Sequence, residues 1–181
     1  MAVYVSLLRA VNVGGRKLAM TDLRALFQRL GHDDVVTYVQ SGNVVSRAAA
    51  RSAAAVERAV HEAIAEELGL DVDVLVRTAN ELRTVHDRNP FLRGPGSAPA
   101  PKALHVTFLA SRPAAARVRE LDDRAFAPDE FRVDGREVFV LCPTGYGRTK
   151  ITNAWFERKL GVAATTRNWA TVTKLVELAG G

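Results

Sequence analysis

Hydrophobic and polar positions alternate between two periods along this chain, and each change of period marks an element. VYVSLLRAV (3–11) is a β-rich apolar run. In MTDLRALFQRLG (20–31), Leu23, Leu26, Phe27 and Leu30 recur at the spacing of one helix face. Thr21 or Asp22 can cap its start and Gly31 can stop it. VVTYVQ (35–40) and NVVSR (43–47) read as short strands about a Ser41-Gly42 turn. A helix over 51–68 carries Val56, Val60, Ile64 and Leu68 at four-residue spacing and closes at Gly69. VDVLVR (72–77) predicts a strand and ANELRTVHDR (79–88) a short helix. The order β-α-β-β-α-β is that of a ferredoxin-like, split β-α-β arrangement with one appended helix.

The second half repeats the plan. ALHVTFLAS (103–111) predicts a strand and 113–124 a helix; FRV and EVFVL flank an Asp134-Gly135 turn. TKITNAWFERKLG (149–161) has helical spacing, with Ile151, Trp155 and Leu160 inward and Gly161 as its stop. VAATTR (162–167) then predicts a short strand and ATVTKLVELA (170–179) a last helix. Even the letters repeat: EELGLDVDVLVRTANEL (66–82) resembles ERKLGVAATTRNWATVTKL (157–175) with a one-residue slip. The economical reading is an α+β protein made by internal duplication of two ferredoxin-like halves. An N-terminal half over 1–91 and a C-terminal half over 103–181 flank a Pro/Gly-rich linker at 92–102, within a stretch (89–102) holding four of the seven prolines.

Composition changes this picture little. Hydrophobic residues make up 48% and charged residues 25%, as in ordinary globular proteins. No window has the apolar length that crosses a bilayer. The N-terminal stretch lacks a basic region and is interrupted by Arg9, which argues against a signal peptide. One cysteine, Cys142, excludes an internal disulfide framework. Together these features favour the cytoplasm. Charge adds more: the formal net charge is +5, and its distribution is uneven. Between 51 and 89 five cations face eight acids, whereas from 144 to 178 six cations face only Glu157 and Glu177. The positive field belongs to the C-terminal stretch and suits an anionic partner.

Four polar clusters are candidates for chemistry. GYGRTK (145–150) puts two glycines beside Arg148 and Lys150, between an apolar run and a helical pattern where unpaired N–H groups and a dipole end suit anions. Thr149 is placed to cap that helix, and the spacing matches neither a Walker A loop nor G-x-G-x-x-G. NVGGRK (12–17) is a second glycine-basic loop, although a β-to-α connection needs a flexible turn in any case. TTRNWATVTK (165–174) joins Arg167, Asn168, Trp169 and Lys174; Asn168 or Thr171 suits a helix cap, and Trp169 suits core packing better than base stacking. VQSGNV (39–44) supplies Gln40, Ser41 and Asn43 at a hairpin tip, residues that turns prefer regardless of function. The four histidines lack ligand spacing, so no metal is expected, and no cofactor motif occurs. His105 suits a half-buried strand position, and Cys142 suits inert packing at a strand end better than a nucleophile.

LLRAVNVGG, YVQSGNVV, NPF, GYGRTKITN and TTRNWATVTKL together, in that order, resemble the bacterial family known as domain of unknown function 1697. The resemblance brings no activity. It implies that the polar clusters are the family's characteristic segments, here Arg9, Asn12, Gly14, Gly15, Gln40, Ser41, Gly42, Asn43, Arg148, Lys150, Asn153, Arg167, Asn168 and Trp169. Ala10, Ser46 and Ala170 depart from its usual residues. The leading expectation is a binder of an anionic ligand, nucleic acid or a nucleotide, using these residues with Lys174. An enzyme acting on a small phosphorylated or carboxylated substrate in a cleft between the halves ranks second. An interaction module without a ligand ranks third.

Overall fold

A computed structural model describes residues 1–12, 17–94 and 96–180. It divides into two compact units, one comprising Met1–Thr84 with Lys174–Gly181 and the other Val85–Thr173. Each is a mixed α+β body around its own four-stranded antiparallel sheet.

The first unit contains β1 (Ala2–Leu8), α1 (Met20–Arg29), β2 (Asp33–Tyr38), β3 (Asn43–Ala48), α2 (Ala53–Leu68), β4 (Val74–Thr78) and the start of α3 (Ala79–Asp87). Its sheet order is β2-β3-β1-β4. Side chains alternate along each strand, so Tyr4 and Leu8 share a face with Val44, Ala48, Val74 and Val76. That face packs on Leu23, Leu26 and Phe27 of α1 and on Val56, Val60 and Ile64 of α2. Ser52 caps α2 by accepting from the Ala55 N–H at 3.2 Å, and Gly69 ends it at φ +61°. Thr78 and Glu81 form a reciprocal capping box at α3: the Thr78 N–H donates to Glu81 Oε2 at 2.8 Å, and the Glu81 N–H donates to Thr78 Oγ1 at 3.2 Å.

The second unit contains the end of α3, short 3-10 turns at Pro90–Leu92 and Pro101–Ala103, β5 (Leu104–Leu109) and α4 (Ala115–Arg119). β6 (Glu130–Asp134), β7 (Glu137–Leu141), α5 (Asn153–Leu160), β8 (Ala164–Asn168) and the first half of α6 (Trp169–Leu178) follow. The sheet order is β6-β7-β5-β8. In both sheets the first strand is therefore central, the third and fourth flank it, and the second lies at an edge. Leu109, Val138, Val140, Phe131 and Ala164 pack against Ile151, Phe156 and Leu160 beneath α5.

Several element ends differ from the sequence reading. Neither Thr21 nor Asp22 caps α1, whose N-cap is Ala19 without a side-chain bond. α4 is five residues long, well short of 113–124. Beyond it, Asp122 Oδ1 accepts from the Arg124 N–H at 3.0 Å, a local bond that competes with helix propagation. α5 starts at Asn153, with Thr152 accepting from the Trp155 N–H; Thr149 instead accepts from the Ile151 N–H at 3.1 Å. The β6–β7 hairpin turns through Gly135-Arg136, because Asp134 still pairs with Glu137. No helix among the described residues is long and apolar enough to cross a membrane.

The four-residue link from β2 to β3 needs Gly42 on two grounds. Its φ is +74°, and a Cβ there would lie 2.5 Å from Val11 Cγ2 and 2.8 Å from Leu8 Cβ. Gly42→Ala is expected to destabilise the protein by about 3 kcal/mol, combining left-handed backbone cost with overpacking. Urea titration checks this; a midpoint equal to the parent's overturns it.

Candidate functional site

In the first unit the chain leaves β1 through Arg9 and Asn12 and passes beside the β2–β3 link. Arg9 pairs with Asp73 at 3.6 Å, and its N–H donates to the Asp73 carbonyl at 2.9 Å. Asn12, at φ +56°, works as a staple. Its Nδ2 donates to the carbonyls of Leu18 at 3.0 Å and Gln40 at 2.7 Å, while its Oδ1 accepts from the Leu18 N–H at 2.9 Å. Asn43 is fully buried and closes the link: its Nδ2 donates to the Tyr38 carbonyl and to Ser41 Oγ, both at 2.9 Å. The structure thus brings Asn12, Gln40, Ser41 and Asn43 together, with much of their hydrogen-bonding capacity spent on each other. Gly14 and Gly15 lie outside the described residues.

In the second unit the GYGRTK loop is pinned from below by Tyr146. Its ring stacks on His105 at 4.5 Å, and its hydroxyl donates to Thr166 Oγ1 at 3.2 Å. Thr166 pairs with Thr107 Oγ1 at 2.7 Å and donates to Asn153 Oδ1. One hydroxyl thereby links β5, β8, the loop and the first residue of α5. Burial raises the Tyr146 phenol, opposed by the Thr166 bond, so it stays a neutral donor. Arg148 and Lys150 follow Tyr146 in the same loop. Both are exposed, and neither side chain makes a hydrogen bond or ion pair to a described residue. Gly145, at φ +99°, supplies the bend.

Arg167 does not join them. Thr166 shares a face with Asn153, so strand alternation sends Arg167 to the opposite face of the sheet. There it is 7% exposed, and burial lowers its guanidinium to about 10. It remains protonated at neutral pH, donating through Nη1 to Thr165 Oγ1 at 2.7 Å and to the Thr166 carbonyl at 3.0 Å. Asn168 Oδ1 caps α6 by accepting from the Thr171 N–H at 2.8 Å. Trp169 is buried with its ring stacked on His86 at 4.8 Å, a packing role. Lys174 pairs with Glu177 at 2.9 Å. Cys142 is buried, and desolvation pushes its thiol up to about 11, against the nucleophile reading. Among the described residues no group of His, Cys, Asp and Glu could hold a metal.

Two features escaped the sequence reading. Arg77 is 1% exposed and pairs with Val5 of β1 as Arg167 pairs with Val106 of β5. The repeated text aligns these arginines, so the signal was there. The Tyr146–Thr166–Thr107 network carried none, because Thr166 lies 59 positions from Thr107 and 20 from Tyr146 and each is individually unremarkable.

Residues 1–139 match the protein family described as "Protein of unknown function (DUF1697)". The fold is similar to that of a conserved bacterial protein, SP0830, from Streptococcus pneumoniae. The two share 19% identity over 98% of each chain, with a TM-score of 0.71. No curated protein matches the sequence.

Two buried histidines give the protein a pH dependence of defined sign. Burial lowers His105, with the Ala103 carbonyl opposing; burial also lowers His32, which pairs through Nδ1 with Ser46 Oγ at 2.9 Å. A base whose folded pKa is depressed protonates first in the unfolded chain, so stability is full above about 6.5 and falls as pH drops below it. Denaturant titrations across this range check the expectation, and His105→Gln should flatten the curve. A parent profile without acid loss overturns it.

Proposed function

We propose that this chain, which belongs to the DUF1697 family, binds the phosphate backbone of nucleic acid through the loop at 145–150. The observation that carries this reading is the state of Arg148 and Lys150: exposed, two positions apart, without a carboxylate among the described residues. Several other surface cations are compensated. Arg29 pairs with Glu67, Arg47 with Asp34 at 3.2 Å, Arg88 with Asp134 at 3.1 Å and Arg132 with Asp123 at 2.7 Å. A free cation held on an ordered loop contributes more to phosphate binding than a paired one, because no ion pair is broken and the backbone is already fixed. Arg158 and Lys159, exposed in the last turn of α5, extend the same positive field.

The second part of the reading concerns architecture: both units are copies of one ferredoxin-like split β-α-β plan. The two sheet orders support it, since each becomes fourth-first-third-second when its strands are counted within the unit. The buried pair Arg77 and Arg167, each followed by a cap residue, Thr78 or Asn168, supports it independently.

Fluorescence anisotropy with single-stranded RNA and duplex DNA, at about 50 mM and about 200 mM salt, tests the binding. The parent should bind with strong salt dependence. Arg148→Ala/Lys150→Ala should weaken binding about tenfold at low salt and reduce the log–log slope by about two. The same double variant should change unfolding free energy by less than about 0.5 kcal/mol. Absent or salt-insensitive parent binding overturns the reading, and so does a double variant that binds like the parent.

A further inference from the structure

We propose that the second unit carries a separate site for a small aromatic anion, a carboxylate or phosphate ester on a planar ring. The site is a cavity of about 460 Å³ where the turn after α3 crosses β6 and β7, lined by Arg88, Pro90, Arg93, Arg132, Val133 and Phe139 together with Gly94 and Asp134. All of these residues belong to one unit. The volume lies in the range of small-ligand sites, and the lining sets Pro90, Val133 and Phe139 among four charged side chains.

The three guanidinium groups have different standings. Arg88 pairs with Asp134 at 3.1 Å. Arg132 bonds Asp123 at 2.7 Å, Glu130 at 3.0 Å and the Phe131 carbonyl at 2.8 Å, and lies 5.7 Å above the Phe91 ring. Both are neutralised and held as walls. Arg93 is held differently: Nε and Nη2 both donate to the Asp87 carbonyl, at 3.0 and 2.5 Å, so its guanidinium is fixed by an uncharged acceptor. No described residue takes a bond from its Nη1. The cavity therefore has one oriented guanidinium without a carboxylate partner, alongside the apolar side chains of Phe139, Val133 and Pro90.

That combination specifies the ligand chemistry. An anionic oxygen satisfies Arg93 Nη1 with a charge-assisted hydrogen bond. A ring lies against Phe139 and the flat guanidinium faces, burying apolar surface that a bare anion lacks. A strongly hydrated inorganic anion gains only the first term. This site is independent of the 145–150 loop.

Titration of the isotopically labelled full chain with phenyl phosphate, benzoate and inorganic phosphate, followed by amide chemical shifts, tests the proposal. Phenyl phosphate or benzoate should shift the amides of Arg88, Arg93, Gly94, Asp134 and Phe139 and bind about tenfold tighter than inorganic phosphate. The tighter of the two identifies the anionic group. Arg93→Gln should weaken binding about tenfold, and Arg93→Lys should fall between, since the charge remains while the planar fork is lost. Arg148→Ala/Lys150→Ala should bind like the parent. Shifts centred on 145–150, equal binding of inorganic phosphate, no binding by any probe, or an unaffected Arg93→Gln overturns the proposal.

Discussion

A strand hydrogen-bonded along both edges and buried on both faces leaves nowhere for a working side chain to meet solvent. β1 and β5 are such strands: each is central in its sheet and buried over nearly its whole length. Everything else follows from that constraint. Polar groups that face solvent are displaced to the chain beyond these strands, to the links between neighbours and to the edges. Of those that remain inside, Thr107 is hydrogen-bonded by Thr166, and His105 stacks on Tyr146 while its Nδ1 is left without a partner. The loops after strands therefore carry the candidate chemistry because the sheets exclude it.

The period of the hydrophobic pattern told most of the fold. Leu23, Leu26 and Phe27 are buried as their spacing requires, and so are Val56, Val60 and Ile64. Helix starts were less legible, because several hydroxyls or carboxylates near one start compete for the same backbone N–H. Thr149 and Thr152 are both suitable caps for α5, and the chain uses Thr149 for a turn and Thr152 for the helix. Asp122 likewise diverts the chain beyond α4. Such choices are decided by whether the next residues have a surface to pack on, which lies outside the local sequence.

The candidate site was legible in its parts and illegible in its grouping. Charge, the glycine-rich loop and the family resemblance nominated Arg148, Lys150 and Arg167 together. Strand alternation separates them, since a residue next to one that bonds α5 must face away from it. Polar residue types nominated Asn12 and Asn43, and the structure spends their amides on tying loops. The cavity beside Arg93 was not legible at all: its walls come from a proline-rich turn and a hairpin some 40 positions later, and only folding joins them.

Thr166 Oγ1 has a single hydrogen and neighbours on three sides: Asn153, Thr107 and Tyr146. A valine there would match its shape while stranding the donors around it. The loop that bears Arg148 and Lys150 is thus anchored, through Tyr146, to an uncharged atom inside. Sequence drift that keeps every cation but loses this hydroxyl would unfasten the loop that carries two of them.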